Sequence, residues 1–214
     1  MDTINISVSL AILVITIIIS VLGFNNPELQ AKLLHNPFLA NKRKQYHRLL
    51  SSGFIHNGWA HLGFNMLTFF FFGGVVEQVF IKSYGNIWGA VIFLGVYLVA
   101  IIVSDLPSFF KYKDMPAYSS LGASGGVSAI VFASILFQPT EKLFLLLIPI
   151  PIPAFVLGTL YVIYSYYQSK NSSDNINHSA HLYGAVFGFV ISAILIPSAV
   201  TDFFIQLSKY RLPF

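Results

Sequence analysis

The charges of this chain fall in a pattern that leaves few folds open. Its 214 residues hold 12 Lys and Arg and 8 Asp and Glu, and these break the sequence into uncharged windows at 3–27, 49–76, 83–104, 115–140, 143–169 and 175–201. Each window is long enough for a helix across the hydrocarbon core of a bilayer, which takes ~20 residues. With 56% hydrophobic and 9% charged residues, the chain is far from an ordinary soluble domain. The expected fold class is an all-α polytopic membrane protein with six transmembrane helices. The expected spans are 6–24, 59–79, 87–103, 124–138, 154–167 and 179–196, in one membrane domain over 1–214. Met1-Asp-Thr-Ile-Asn lacks a basic n-region, so no removable signal peptide is expected. The absence of cysteine excludes disulfides, thiolate metal sites and cysteine nucleophiles. The net charge of +4 is small and says little beyond comfort beside anionic headgroups; the expected partner is the lipid bilayer, and no nucleic acid is expected.

Breakers set the span ends. Pro139 stops the fourth span, prolines 149, 151 and 153 delay the fifth, and Pro197 ends the sixth. The loop 25–58 is the longest, and its scattered Leu and Phe predict that it lies partly in the membrane interface. A second loop is expected over 106–120, with Pro107 and Pro116. The fourth span is short: fifteen residues cover roughly 22 Å of a core roughly 30 Å thick. Its first residue, Ser124, is therefore expected below the membrane surface, in a place where protein or a water-filled cavity surrounds irregular backbone.

Ser124 stands in Leu121-Gly-Ala-Ser-Gly-Gly126. Glycines weaken a helix and pack nothing, so something else favours them. One reason is a nucleophile that a substrate backbone must approach closely, with Gly122, Ala123 and Gly125 clearing the way. Polar side chains within spans are costly and commonly functional. Three stand out: His61 and Asn65, four apart on one helix face, and His181. The last lies in Ala180-His-Leu-Tyr-Gly184-Ala-Val-Phe-Gly188, a small-xxx-small series that lets a neighbouring helix come close. If that neighbour is the fourth span, His181 lands beside Ser124. A neutral imidazole can then take the serine proton. His61, the Asn65 amide and the Ser124 backbone N–H can serve a developing oxyanion. With no aspartate inside any expected span, the reading is a Ser–His dyad.

At these residues the chain resembles the rhomboid family of intramembrane serine proteases, in its basic six-helix form. The resemblance rests on Gly122-Ala-Ser-Gly125, on Ala180-His181-x-x-Gly184-x-x-x-Gly188, on His56-x4-His61-x3-Asn65, on Gly73-Gly74-x-x-Glu77 and on Arg48. It implies a rhomboid-like bundle with Ser124 as nucleophile, His181 as general base, and His61 with Asn65 in the oxyanion hole. It implies transmembrane protein substrates, cut near the outer edge of a helix that can unwind, and no metal or cofactor. It further implies a bacterial cell membrane, with the site opening to the extracytoplasmic side. Two positions depart from the family pattern. His47 stands where tryptophan is common, and Ser128 stands where some members place an aromatic ring against the base histidine. Tyr183 and Tyr118 are the candidates to orient His181 instead.

Plainer readings compete. Glycine and serine clusters in membrane helices commonly serve packing. His61, His178 and His181 could hold zinc, but no acidic or thiol ligand accompanies them. Residues 122–126 satisfy G-x-S-x-G, yet Met115-Pro-Ala-Tyr-Ser before them is no buried strand. Phe69 to Phe72 read as lipid-facing bulk, Glu77 as a helix-end or packing charge, and His47, His56 and His178 as structural, while His35 has no assigned place. A non-catalytic rhomboid-like binder would need neither Ser124 nor His181. A transporter would distribute polar residues through the membrane depth, whereas here they gather near one side. The basic residues run against the family orientation, eight on the expected outer side against Lys82, Lys142, Lys209 and Arg211 on the other. Cations embedded in an interfacial loop need not act as topogenic signals.

Overall fold

A computed structural model describes residues 7–145, 148–171, 174 and 176–211; the expected start of the first span at Ile6 lies outside them. Helices occupy all six expected stretches: α1 Val8–Phe24, then, beyond three short helices, α5 Trp59–Tyr84, α6 Asn86–Tyr112, α7 Ser124–Phe137, α8 Ala154–Asn171 and α9 His178–Leu195. By length and composition α5, α6 and α9 can each cross a membrane, while α1 and α7 are shorter apolar helices. The chain is an all-α polytopic membrane protein.

The long loop is folded. It forms α2 Pro27–Leu33, α3 Pro37–Lys42 and α4 Arg48–Ser51, followed by a 3-10 turn over Ser52–Phe54. Asn26 and Asn36 each cap the helix that follows, with proline in its first turn, the pairing that suits a helix start. The buried Arg48 guanidinium ties the loop together, donating to Ala31 O at 2.7 Å, Leu34 O at 2.9 Å and Gln45 Oε1 at 2.7 Å.

Two expectations fail at α6. It was expected to end at Val103, with Pro107 in a loop; instead the helix runs through Pro107 to Tyr112. Proline removes one intrahelical bond but does not end a helix whose flanks are held elsewhere. Here Asp105 bonds Ser52 Oγ at 3.0 Å, and Ser108 bonds Asn177. An aspartate therefore does lie inside a long helix. Its partners are Ser52 and, at 3.3 Å, His35. That gives His35 its place, fully buried beneath the loop and paired through its backbone with Ser120.

Two elements were not foreseen. Between α7 and α8 lies an antiparallel hairpin, β1 Lys142–Leu145 with β2 Ile148–Pro153, in the register Leu143 to Ile152. Prolines at every second position of β2 put each missing N–H on the same edge, so a two-stranded ladder tolerates them. After α9, the helix α10 Ser198–Lys209 buries Ala199 and exposes Phe204 and Ile205, an amphipathic form suited to an interface.

The core surrounds α7. Apart from Ser124 and Val131, its residues from Gly125 to Leu136 are buried, as a helix apolar all round demands. It packs against α5, α6 and α9, with Phe69, Phe80, Phe93, Tyr97 and Ile130 filling the interior. The phenylalanine run therefore splits, Phe69 facing the core while Phe70 and Phe71 face outward. Glu77 holds the start of α1. Its carboxylate accepts from Ser7 Oγ at 2.6 Å, Ser9 Oγ at 2.7 Å, Val8 N at 2.6 Å and Ser9 N at 3.1 Å, satisfying donors that a helix N-terminus leaves unpaired.

Candidate active site

The approach of α7 and α9 rests on missing side chains. A methyl group built on Gly184 would lie 2.2 Å from Gly125 O, and one on Gly188 would lie 2.1 Å from Ala129 O. The Gly125 face is occupied too, since a methyl there would lie 2.0 Å from Ser104 Oγ and 3.6 Å from Ala180 O. Gly125 and the buried Ala123 thus take part in the packing. The expected contact between fourth and sixth spans is made, and it brings the first turns of both helices together.

That contact carries Ser124 and His181 into one cavity of about 1780 Å³, which His61 and Asn65 also line. Both Ser124 and His181 are half-buried. Among the described residues no hydrogen bond joins them, and such contacts in a substrate-free site commonly tighten only with substrate bound. The Ser124 N–H lies in the first turn of α7, where no side chain caps the helix. It is one of the donors that a helix N-terminus leaves for a ligand.

The segment before Ser124 is pinned from beneath. Gly122 N donates to Ser52 O at 2.9 Å, and Ala123 N donates to His56 Nε2 at 3.2 Å. His56 must then carry its proton on Nδ1, which faces Ser20 Oγ at 2.9 Å, and Ser20 in turn bonds Phe54 O at 3.1 Å. Burial, with His61 nearby, pulls the His56 pKa from 6.5 down to about 3. A histidine held neutral in the folded state and charged in the unfolded one favours unfolding as pH falls. The apparent melting temperature is therefore expected to drop between pH 6.5 and pH 3, more steeply than in His56→Gln, which a pH series of thermal unfolding in detergent would read.

Gly122 has φ +122°, and a methyl there would lie 2.5 Å from His61 Cε1. Only glycine suits that position, for conformation and for space. His61 Nδ1 lies 2.9 Å from Asn57 Oδ1, which in a neutral ring puts the proton on Nδ1 and a lone pair on Nε2. Donation from Nε2 needs the Asn57 amide turned to offer its NH2 instead. Asn65 uses one amide hydrogen on His61 O at 2.9 Å, leaving its second for a ligand.

His181 has a ring on each side. Tyr161 of α8 stacks on it with centroids 6.2 Å apart and planes 20° from parallel, and His178 meets it edge-on at 5.8 Å. Tyr161 OH in turn lies 2.7 Å from Ser128 Oγ. Neither candidate named from sequence fills this position, since Tyr183 is 49% exposed and Tyr118 stacks on Tyr112 at 3.9 Å. The contact is set by packing: Gly158 on α8 abuts Ile135 of α7, and Tyr161, three residues on, lies on the same helix face. His178 pairs with Asp174 at 3.1 Å. Among the described residues, no group of three or more His, Asp or Glu side chains is arranged to hold a metal.

A helical membrane bundle with a serine, two histidines and an asparagine lining one open cavity defines an integral membrane protein with a polar centre among its helices. The Rhomboid domain family matches residues 43–198, and the chain belongs to the rhomboid family. It is 32% identical over 153 residues to RHOMBOID-like protein 12, mitochondrial, of Arabidopsis thaliana, covering 67% of this chain and 45% of that protein. It is 29% identical over 155 residues to Rhomboid protease GluP of Bacillus subtilis (strain 168), covering 71% of this chain and 26% of that one. With Rhomboid-like protein 11, chloroplastic, of Arabidopsis thaliana, it shares 28% identity over 191 residues, 81% of this chain and 61% of that protein. The chain thus spans between about a quarter and three-fifths of these relatives. They come from mitochondria, chloroplasts and a bacterium, so the family sets an integral membrane location and not a particular membrane.

Proposed function

We propose that this rhomboid is an intramembrane serine endopeptidase acting on transmembrane segments of other membrane proteins, as one unit over 1–214. The observation that carries the reading is the glycine-mediated contact of α7 with α9, which sets Ser124 and His181 on one cavity. In the reaction, Ser124 Oγ attacks the scissile carbonyl carbon while His181 takes its proton. The new oxyanion is met by the Ser124 N–H, by the free Asn65 amide hydrogen and, with the Asn57 amide turned so that His61 carries its proton on Nε2, by His61. His181 returns the proton to the departing amine as the C–N bond breaks. Water, deprotonated by the same imidazole, then releases the acyl group.

The reading places the cavity on the extracytoplasmic side of a bacterial cell membrane. Three of the eight loop cations that run against that orientation are engaged by other groups. Arg48 is folded inward onto carbonyls, while Lys32 pairs with Glu28 at 2.7 Å and Lys42 with Asp114 at 3.0 Å.

A fluorophosphonate probe tests the activity directly. Detergent-purified wild type should become labelled, and Ser124→Ala and His181→Ala should not. A folded wild type that stays unlabelled, beside a control hydrolase that reacts, would overturn the protease reading in favour of a non-catalytic binder. Asn65→Ala should stay folded and slow cleavage of a transmembrane substrate by roughly 3 kcal/mol of lost oxyanion stabilisation.

A further inference from the structure

We infer that Tyr161 is the positioning residue for His181, and that it ties the base to the placement of α8. The inference rests on the protease reading above.

His181 needs a fixed ring orientation to take a proton from Ser124, and its own helix does not supply one. Leu182 and Tyr183 lie on other faces of α9, and the neighbouring His178 presents only an edge. The flat face of His181 is covered by Tyr161, nearly parallel at 20°. Offset stacking of this kind is a favoured arrangement for aromatic rings.

Tyr161 is itself held at two points, both on α7. Its hydroxyl lies 2.7 Å from Ser128 Oγ, and its ring lies 5.7 Å from the Phe132 ring. Ser128 is one turn below Ser124 on the same helix. The serine at 128 is therefore not an empty place where a ring is wanted, but the anchor for a ring that arrives from another helix. A larger side chain at 128 would meet the Tyr161 hydroxyl.

The origin of that ring matters. Among the described residues of α8, only Ala154, Gly158 and Ser165 are buried, whereas nearly the whole of α7 is. Away from the cavity α8 exposes Ile163 and Tyr167. An element with so little buried side-chain contact is among the easier ones to displace. A shift of α8 away from α7 would break the Ser128 bond and uncover His181 in the same movement. The base is thus oriented only while α8 is docked.

Steady-state cleavage of a transmembrane substrate and the rate of fluorophosphonate labelling read this together, with thermal unfolding followed for each variant. Tyr161→Leu removes the stacked ring, and should lower kcat and the labelling rate by about 10- to 100-fold, the scale of a misplaced catalytic group, with KM unchanged. Tyr161→Phe keeps the ring, and should recover most of the rate. Tyr167→Leu, on the exposed face of α8 and outside the cavity lining, should behave as wild type. Should Tyr161→Leu not fold, Tyr161→Met carries the same expectation with a side chain that adapts to the space. Wild-type kcat in folded Tyr161→Leu or Tyr161→Met, or equal losses in Tyr161→Phe and Tyr161→Leu, would overturn the positioning role while leaving the protease reading intact. A wild type that is never labelled would overturn both.

Discussion

Cleavage by His181→Ala is expected to fall by about 100- to 10,000-fold, the range general acid–base catalysis supplies, while the protein keeps its fold. The ring is half-buried and lines the cavity, so truncation removes a stacking surface for Tyr161 rather than a piece of the core. No hydrogen bond among the described residues is lost with it, so the structural cost is small. Ser124→Ala should give a loss of similar size, and the double variant should lose little more than either single one, because the two act as a unit. The measurement is turnover of a transmembrane substrate in proteoliposomes, with thermal unfolding alongside. Losses that multiply in the double variant would mean that Ser124 and His181 act independently, contrary to a dyad.

Together with Gly188→Ala, whose methyl would meet Ala129 O at 2.1 Å, Gly184→Ala should be among the most damaging small substitutions on α9. The added methyl would sit 2.2 Å from Gly125 O, a backbone atom of a buried helix that cannot swing aside as a side chain can. The helices must separate, at a cost of roughly 1–3 kcal/mol or more for overpacking. That same separation parts the helix bearing His181 from the one bearing Ser124, so activity should fall even in the folded fraction. Gly95→Ala is the control, because a methyl on Gly95 meets nothing within 4 Å. In mid-helix that change should be neutral or stabilising by about 0.5–1 kcal/mol. Equal melting temperatures for the two variants would show that the α7–α9 contact is looser than its geometry.

Much of this architecture could be read from sequence because lipid imposes a one-dimensional rule. Charge is excluded from spans, so the gaps between charges mark where helices lie, and prolines and asparagines mark several of their ends. The small residues at 125, 184 and 188 were legible for a related reason, since close helix contact has few other solutions. Legibility ended where a residue's role depends on a partner remote in sequence. Asp105 looked like a loop charge, and only the continuation of α6 through Pro107 placed it in a helix against Ser52 and His35. His56 gave no sign of holding Ala123 N across 67 positions.

The orientation of the candidate base shows the same division. Sequence raised the question at Ser128 and offered Tyr183 and Tyr118 as the ring. The ring came from α8, 20 positions away in sequence but stacked in space. By itself the sequence determined the class, the six main helices and the family motifs, because hydropathy, breakers and small-residue spacing act locally along a chain. Tertiary structure alone decided which ring covers His181, which donors remain free around Ser124 and which glycines serve packing. Those outcomes depend on distances between helices, and such distances are set only when the whole bundle packs.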